Sequence, residues 1–398
     1  MPKPSIFIAM HYLELGGAEA ALIGLLDAFD FDRVDVDLFL YSHRGDLMEF
    51  IPPEVNLLPQ IKEYSMIEAP MTEALRRGCI RVVYGRMKSK IRFKRYISKK
   101  KPSDGNAIFG YVGKYVTPGL PKISRRHYDL AISFLTPHNV VLDKVSAGRK
   151  ICWIHTDYTR IDTDTALELP VWNGYDNIVS ISPTVTENFL RIFPSLHDRI
   201  TEIENILPEK IIRKQAEAYK PVEISPTHFN ILSIGRFTYP KNFDNIPDIC
   251  RRIISITGIR NLRWHIIGFG GDEGLIRQRI REAGMEEHVI ILGKKSNPYP
   301  YIKACDLYIQ PSRYEGKSVT VREAQMLGKP VIIADYPTAK SQVENNIDGI
   351  IAPSDNAGCS QRISDVILHK EIMEQLSRNT ALRDYSNRRE IDKIYALL

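Results

Sequence analysis

The sequence predicts an α/β protein made of two doubly wound domains, each a parallel sheet covered by helices on both faces. Short apolar runs alternate with longer helical patterns along the chain, which is typical of βαβ units. The apolar runs are nearly continuous, as expected for strands that are buried on both faces. The chain has 398 residues and so exceeds the roughly 250 to 300 residues that one hydrophobic core usually holds.

Ten segments are predicted to be strands, five in each half of the chain. They are residues 5–10, 35–41, 129–135, 150–155, 177–182, 229–235, 263–270, 288–293, 307–311 and 330–335. Prolines and polar residues interrupt the pattern between positions 204 and 226, which indicates a domain junction. We therefore predict a first domain over residues 1–207 and a second domain that begins at residue 208. Ligands of such sheets bind at the carboxyl ends of the strands, so the two domains are expected to face a cleft.

Composition narrows the class of protein. The chain is 43% hydrophobic and 26% charged, close to the globular average. It has no apolar run near the roughly 18 residues that span a bilayer and no signal-peptide pattern, so a cytoplasmic protein is expected. The five cysteines are widely spaced and form no CxxC pair, which argues against a zinc site and for reduced core residues.

The net charge of +6 is locally concentrated. Residues 86–101 carry nine Lys or Arg and no acidic residue, with Ile91, Phe93 and Ile97 among them. An anionic membrane surface or a phosphate-rich substrate would suit this segment, and a solvated helix face or loop is the alternative. Nucleic acid is not expected as a partner, because no zinc-finger spacing or aromatic RNA-binding motif accompanies the basic run.

Two glycine turns follow predicted strands. Gly16 and Gly17 precede a helix expected to begin near Ala18, and Gly268 and Gly270 precede another helix. Such turns let backbone amides approach a phosphate or a sugar. Each is weak evidence by itself, and a simple connection between a loop and a helix is the alternative.

Charged residues follow two strands of the second half. Arg236 and Lys241 lie around a loop after the strand at 229–235, where a guanidinium and an ammonium can neutralise a diphosphate. Glu315 follows the strand at 307–311, and Glu323 lies in a helix expected to start after Ser318. The free amides of that first turn attract an anion, while a carboxylate one turn later can accept hydrogen bonds from ribose hydroxyls. Solvent-exposed charges and helix capping are the alternatives.

The stretch from Glu315 to Val331, Glu-x7-Glu-Ala followed by Gly-Lys-Pro-Val, resembles the C-terminal signature of retaining GT-B glycosyltransferases of family 4. The resemblance extends over nearly the whole chain and includes the Gly16-Gly17 loop, His155 and the Arg236 and Lys241 pair. It implies a GT-B fold, in which the second domain, over residues 208–378, binds a nucleotide-sugar donor and the first supplies the acceptor surface. The last residues also resemble the family's final helix, which implies a helix over residues 379–398 that crosses back to the first domain. The Lys317-Ser318 pair after Glu-Gly departs from the aromatic residue of many members and resembles enzymes of surface-polysaccharide synthesis.

The resemblance also implies a role for each matching residue. His155 and Glu315 would be catalytic, placed beside the donor sugar, and Glu323 would bind the ribose. Donor binding is expected to involve Gly16, Gly17, Arg236, Lys241, Gly268, Gly270, Gly316, Lys317, Ser318, Val319 and Glu323. No cofactor is expected, and the donor is expected to be UDP-linked.

No metal site is expected. Two Asp-x-Asp patterns, at Asp35 and Asp37 and at Asp162 and Asp164, satisfy the metal motif of other glycosyltransferases formally. The first lies within a predicted strand and the second in a polar loop, so we discount both. Cations and helix amides are sufficient to offset the charge of a leaving nucleotide.

The charged residues and the resemblance together predict a glycosyltransferase that moves a sugar from a nucleotide diphosphate to an acceptor hydroxyl. The resemblance implies that the anomeric configuration is retained and that the acceptor is an isoprenoid-diphosphate-linked glycan. Two alternatives remain open at the level of sequence. A GT-B epimerase would convert a nucleotide-sugar without an acceptor, and a silent glycan-binding scaffold would bind carbohydrate without transfer or donor hydrolysis.

Overall fold

The computed structural model describes residues 2–14, 16–100, 106–315 and 318–398. The chain divides into two compact units. Unit 1 comprises Met1–Pro208 with Asn387–Leu398, and unit 2 comprises Glu209–Ser386. Each unit has its own parallel sheet and its own buried apolar core, so the predicted class of two doubly wound α/β domains is confirmed.

Unit 1 contains a seven-stranded sheet in the order β3-β2-β1-β4-β5-β6-β7. The strands are β1 (Ser5–Met10), β2 (Asp35–Leu40), β3 (Asn56–Leu57), β4 (His127–Ser133), β5 (Ser146–Ile154), β6 (Asn177–Ser180) and β7 (Ile200–Glu202). The helices are α1 (Gly17–Ala28), α2 (Lys62–Ser65), α3 (Met71–Arg76), α4 (Ile80–Lys100), α5 (Ile108–Val116), α6 (Asn139–Lys144), α7 (Thr165–Trp172) and α8 (Pro183–Ile192). Every strand pair is parallel. β1 is buried at all six positions, as the continuous apolar run predicts.

Unit 2 repeats this plan with six parallel strands in the order β10-β9-β8-β11-β12-β13. They are β8 (Phe229–Ile234), β9 (Leu262–Ile267), β10 (Val289–Gly293), β11 (Leu307–Gln310), β12 (Val331–Ala334) and β13 (Ile350–Ala352). The helices are α9 (Glu209–Ala216), α10 (Ile246–Thr257), α11 (Glu273–Ala283), α12 (Tyr299–Ala304), α13 (Val319–Met326), α14 (Ala339–Gln342), α15 (Asn356–Leu368) and α16 (Lys370–Ala381).

The C-terminal segment differs from the single final helix predicted over 379–398. α16 ends at Ala381, and the last helix, α17 (Ile391–Tyr395), begins ten residues later, after a turn and a short 3-10 segment. Asn387 adopts a left-handed conformation with φ +62°, and the Asp384 carboxylate accepts a hydrogen bond from the backbone N–H of Ser386 at 2.7 Å. These turn interactions interrupt the helix. Asn387 then donates to the Glu204 carboxylate at 3.0 Å within unit 1.

In each sheet the strand order reverses next to the first strand of the unit. The connections leave β1 and β4 in opposite directions in unit 1, and they leave β8 and β11 in opposite directions in unit 2. Such a reversal opens a crevice at the carboxyl ends of the two central strands, where loops and helix N-termini converge. The fold therefore places one candidate ligand site in each unit.

Candidate functional site

In unit 2 the two loops that border the crevice are joined to each other. The side-chain amide of Asn242 donates to the Pro311 carbonyl at 2.9 Å, and the backbone N–H of Arg313 donates to the Pro240 carbonyl at 2.8 Å. Arg313 also makes a bidentate ion pair with Asp244, at 2.9 and 2.8 Å. A guanidinium fork on a carboxylate has a restricted geometry. The loop after β8 is therefore held against the loop after β11.

The clearest result of this arrangement is an ion pair between Lys241 and Glu315. Lys241 Nζ donates to Glu315 Oε1, and the two side chains are 20% and 11% exposed. The sequence placed both residues in a donor site but did not predict that they would touch. Since both groups are largely removed from solvent, an incoming diphosphate that attracts Lys241 would compete directly with Glu315.

Neutral side chains contact the same Glu315 oxygen that Lys241 binds. Ser312 Oγ donates to Glu315 Oε1 at 2.8 Å, and Gln310 Nε2 lies 3.3 Å from the same atom. Thr338 Oγ1 donates to the Glu315 backbone carbonyl at 2.8 Å. Because a buried charge needs several polar partners, these groups orient the carboxylate and keep it in place.

Arg236 lies on a loop whose backbone is locked to a glycine turn. The N–H of Gly235 donates to the Ile267 carbonyl at 3.0 Å, and the N–H of Phe237 donates to the Phe269 carbonyl at 2.8 Å. Gly268 and Gly270 both have φ +155°, and an added Cβ would lie 1.9 Å and 2.4 Å from backbone oxygens of this loop. Only glycine fits so close an approach.

The locked loop leaves the Arg236 side chain exposed, and no hydrogen bond or ion pair joins it to another residue in the described part of the chain. Its guanidinium is thus available to an anion at the carboxyl end of β8. The two predicted glycines act here by positioning the Arg236 loop, a role that the sequence did not assign to them.

Helix α13 begins at Val319, one residue after Ser318, as predicted. Gln342 fixes the entry to the helix, because its Oε1 accepts from the Ser318 N–H at 3.1 Å and its Nε2 donates to the Ser318 carbonyl. Val319 is 47% exposed. The first turn, which is exposed at Val319, carries backbone amides without helical partners, together with the positive end of the helix dipole.

Glu323 lies one turn into α13 and is 9% exposed. Burial raises its pKa to about 7, and a hydrogen bond from the Tyr299 hydroxyl at 2.9 Å opposes that rise. Burial is the main cause of the raised pKa of Tyr308, and the negative charges of Glu323 and Glu315 raise it further. The two glutamates of the sequence signature are therefore brought to one region.

Two predicted donor-binding residues, Gly316 and Lys317, lie outside the described residues. The departure from the family pattern at Lys317 therefore stays a sequence observation.

In unit 1 the Gly16-Gly17 turn lies at the N-terminus of α1, which begins at Gly17. The Glu19 carboxylate is folded back over this turn, since a Cβ on Gly16 would lie 2.2 Å from Glu19 Oε2. Burial raises the pKa of Glu19. A carboxylate at this position already complements the helix dipole, which the sequence prediction of a phosphate or sugar turn did not consider. Nothing lies within 4 Å of the corresponding position on Gly17.

His155 follows β5 and is partly buried, with a hydrogen bond to the Phe134 backbone. Its ring lies 4.7 Å from the ring of Phe134, and its Nε2 atom is buried without a hydrogen-bond partner. Burial lowers the pKa of His155 to about 4. Burial similarly lowers the pKa of His138 to about 3, although Ser133 Oγ lies 2.8 Å from His138 Nδ1. Both imidazoles are therefore neutral near pH 7.

A cavity of about 170 Å³ lies within unit 1 beyond the ends of β4 and β5. Its walls combine aromatic side chains with polar groups, among them Phe109, Tyr158, Trp172, His138, Asp162 and Glu168. Burial raises the pKa of Glu168, and Thr163 Oγ1 donates to its carboxylate at 2.5 Å. Aromatic faces beside a few polar groups are typical of small-ligand pockets. The sequence did not point to this cavity, because its lining comes from α5, α7 and two loops.

The formal Asp-x-Asp patterns have structural contacts. Asp37 is buried in β2, where it accepts hydrogen bonds from Tyr128 at 2.7 Å and from Asn56 at 2.9 Å. Asp164 accepts a hydrogen bond from Tyr111 at 2.7 Å. Within the described residues, no group of three or more His, Cys, Asp or Glu has an arrangement that could hold a metal ion.

Most of unit 2 matches a known protein family. Residues 215–383 match the family model of glycosyl transferases group 1. The matched segment contains all four charged residues of the candidate donor site, Arg236, Lys241, Glu315 and Glu323.

Two curated relatives show the range of similarity. The chain is 24% identical over 266 residues to the amylovoran biosynthesis glycosyltransferase AmsK of Erwinia amylovora, covering 59% of this chain and 64% of that protein. It is 31% identical over 91 residues to the N,N'-diacetylbacillosaminyl-diphospho-undecaprenol alpha-1,3-N-acetylgalactosaminyltransferase of Campylobacter jejuni, covering 23% of this chain and 24% of that protein. The chain thus spans less than two thirds of the length of these relatives.

The solved structures include Anabaena HepE in complex with UDP and glucose, with a TM-score of 0.61 and 15% sequence identity. That match covers 99% of this chain and 100% of the HepE chain. At this identity the likeness concerns the fold. The chain therefore has the fold of the GT-B glycosyltransferases, with two Rossmann-like domains, and its residues 215–383 match the glycosyl transferases group 1 family.

Proposed function

We propose that this protein is a retaining glycosyltransferase that moves a sugar from a nucleotide diphosphate sugar to an acceptor hydroxyl. The observation that carries the proposal is the Lys241 and Glu315 ion pair at the carboxyl edge of unit 2, beside the exposed Arg236. An exposed cation and a paired cation at this edge suit a diphosphate, and the carboxylate suits sugar hydroxyls. The group 1 family match covers the same residues.

Each residue of the candidate donor site contacts a different part of an extended nucleotide-sugar. Arg236 and Lys241 neutralise the diphosphate, and the first turn of α13 adds amides and the helix dipole. Glu323, in its ionised form, accepts hydrogen bonds from the ribose hydroxyls. When the phosphate draws Lys241 away, Glu315 exchanges one partner for the hydroxyls of the donor sugar and remains fixed by Ser312.

The reaction proposed is a front-face substitution. The bond between the anomeric carbon and the diphosphate oxygen breaks, the acceptor oxygen forms the new bond on the same face, and the leaving phosphate takes the hydroxyl proton. Arg236, Lys241 and the helix amides stabilise the charge that develops on the leaving diphosphate, so no metal ion is required in this scheme.

We assign the acceptor to unit 1, where His155 is partly buried and its imidazole is neutral. A neutral imidazole shapes the site without attracting the diphosphate. A lipid-linked glycan is the proposed acceptor, a choice supported by the diphospho-undecaprenol substrate named for the Campylobacter relative. A uridine donor is supported by the UDP named for HepE. The proposed place of action is the cytoplasmic face of the cell membrane.

A panel of nucleotide-sugars tests the proposal. Donors that bind the native state raise its melting temperature, and the donors that stabilise it are then incubated with isoprenoid-diphosphate-linked glycans. Transfer with retained anomeric configuration is the expected outcome. Conversion of the donor without any acceptor would instead indicate the epimerase, and carbohydrate binding without transfer or donor hydrolysis would indicate the scaffold.

A further inference from the structure

The basic helix α4 has one side committed to the core of unit 1. Val82, Gly85 and Ser89 are its buried residues. A Cβ on Gly85 would lie 2.6 Å from the Tyr115 carbonyl oxygen, and Ser89 Oγ donates to the Tyr111 carbonyl at 3.0 Å. These close contacts with α5 fix the rotation of α4 about its own axis.

The opposite side of α4 presents an apolar stripe. Ile80, Tyr84, Met87 and Ile91 are 67%, 67%, 50% and 52% exposed. Successive members are four, three and four positions apart, so at about 100° per residue they fall within an arc of roughly 60°. Single exposed apolar residues are ordinary, but four aligned on one helix face form a continuous surface. This set is called the α4 stripe below.

Cations border the α4 stripe on both sides. Exposed basic residues lie along one flank at Arg81, Arg92, Arg95 and Lys99, and along the other at Lys90 and Lys94. The helix carries nine Lys or Arg and no acidic residue. None of the six flanking cations has an ion pair with a carboxylate in the part of the chain that the structure describes.

The apolar residues that α4 exposes differ from those that the sequence indicated. The sequence placed Ile91, Phe93 and Ile97 together among the cations, but only Ile91 belongs to the exposed stripe. Phe93 is partly buried and makes an edge-on contact with Tyr111, with the ring centroids 5.9 Å apart. Ile97 is also partly buried. The outward residues Ile80 and Tyr84 precede the basic run that the sequence singled out.

We propose that α4 docks flat on an anionic lipid bilayer, with the α4 stripe at the boundary between headgroups and acyl chains and the flanking cations on lipid phosphates. An apolar face bordered by lysines and arginines is the arrangement of interfacial helices, whose long basic side chains reach back to the headgroups. Charge selects this occupant, because an unpaired basic flank on each side of the stripe repels a second copy of the same face. No helix in the described ranges is long and apolar enough to cross a membrane.

Vesicle co-sedimentation of the full chain tests this inference. The probes are vesicles of phosphatidylcholine mixed with phosphatidylglycerol, and vesicles of phosphatidylcholine alone, each at low and high salt. Wild-type protein is expected to bind the anionic vesicles only, and more weakly at high salt, because surface charges are screened. Absence of binding to anionic vesicles, or equal binding to both kinds, would overturn the proposal.

Two triple variants separate charge from insertion. Lys90→Gln, Lys94→Gln and Arg95→Gln together should weaken vesicle binding by up to about a hundredfold, because each cation near an anionic surface contributes substantially. Tyr84→Ser, Met87→Gln and Ile91→Gln together should weaken it about tenfold or more by removing apolar burial. If the apolar variant binds like wild type, the stripe does not enter the bilayer and the proposal fails.

Matched controls remove equal numbers of side chains elsewhere. The charge control is Lys220→Gln, Arg260→Gln and Lys370→Gln, and the apolar control replaces Val222, Leu368 and Leu382 by Gln, three exposed residues of unit 2. Both controls are expected to bind vesicles like wild type. Equal loss of binding in the controls would mean that net charge or general surface polarity, not α4, carries the attachment. The membrane proposal would also be overturned if the wild type bound no vesicles but formed a dimer that the apolar variant abolished.

Discussion

The two units share a strand order but place different chemistry at the carboxyl ends of their central strands. Unit 2 presents charges there: an exposed guanidinium at Arg236, a paired Lys241 and Glu315, and a buried Glu323. Unit 1 presents two neutral imidazoles there: a buried His138, which lines an aromatic cavity, and a partly buried His155. The same scaffold thus offers an electrostatic site in one unit and a desolvated, largely neutral site in the other. The fold therefore decides where a site forms, whereas individual side chains decide what that site can bind.

The largest effect is expected from the cations of unit 2. Arg236→Ala and Lys241→Ala should each slow transfer about a hundredfold to a thousandfold, because a well-placed donor to transition-state charge is worth roughly 3 to 4 kcal/mol. Steady-state transfer kinetics measure the effect. Wild-type rates in both variants would remove the electrostatic character assigned to unit 2.

Controls for these variants exist within unit 2. Arg260 is exposed like Arg236 but precedes β9, at the amino edge of the sheet. Lys295 pairs with Glu223 at 2.9 Å, as Lys241 pairs with Glu315. Arg260→Ala and Lys295→Ala should keep the transfer rate. Because Lys241→Ala leaves a largely buried carboxylate unpaired, the double variant Lys241→Ala with Glu315→Gln separates lost stability from lost donor binding.

A second prediction uses the raised pKa of Glu323. Its pKa of about 7 in the folded protein, against an ordinary value of 4.5, means that the folded state holds this proton more tightly than the unfolded state. This group therefore lowers stability progressively as pH rises from about 4.5 to about 7, and not further above that. Relative to Glu323→Gln, the wild type should lose about 2 to 3 kcal/mol of unfolding free energy between pH 5 and pH 8.

Urea unfolding at both pH values checks this shift, with the exposed Glu374→Gln as a control that should show none. The same Glu323→Gln variant should bind a nucleotide-sugar about tenfold more weakly, because a carboxylate that accepts two hydrogen bonds is replaced by an amide. Calorimetry that finds unchanged affinity would mean that Glu323 does not hold the ribose.

The third prediction concerns the neutral histidine of unit 1. His155→Phe keeps a ring of similar size, removes the buried, unpartnered Nε2 and loses the hydrogen bond to the Phe134 backbone, so the unfolding free energy should change by no more than about 1 kcal/mol in thermal unfolding. If His155 lies beside the reacting sugar, transfer should fall about tenfold or more through loss of a hydrogen bond. In wild type, the pH profile of transfer should show no step attributable to this imidazole between pH 6 and 8, because its pKa is about 4. Full activity of the variant would assign His155 to packing alone.

The smallest expected effect is that of chelation. Treatment with EDTA should leave the transfer rate unchanged, because the cations of unit 2 and the amides of α13 offset the leaving charge. Loss of activity in EDTA that only an added divalent ion restores would contradict the metal-independent scheme.

The regular elements follow closely from the sequence. All ten predicted strands occur, with ends displaced by a few residues. The three strands that the sequence did not indicate, β3, β7 and β13, lie at or beside sheet edges and contain two or three residues each. Such short segments carry too little periodicity to be recognised, and they pair because a neighbouring strand presents unpaired backbone groups.

Only some residues of the candidate site could be predicted from the sequence. The charged residues were identified from their positions after predicted strands and from the family signature. Tyr299, Gln310, Ser312 and Gln342, which hold these residues in place, were not, because a tyrosine, a serine or a glutamine carries no local signal of its tertiary partner. Gln342 lies 24 residues from the Ser318 backbone that it fixes.

The sequence by itself determined the class of fold, the strands and the identity of the charged groups, because buried strands and helix starts leave local patterns of apolar and capping residues. Tertiary structure alone decided that Lys241 meets Glu315, 74 positions away, that burial raises the pKa of Glu323, and that Ile80, Tyr84, Met87 and Ile91 face outward on α4. These properties depend on which surfaces are desolvated and which loops are joined. Both are set by packing between segments distant in the chain, which no local pattern encodes.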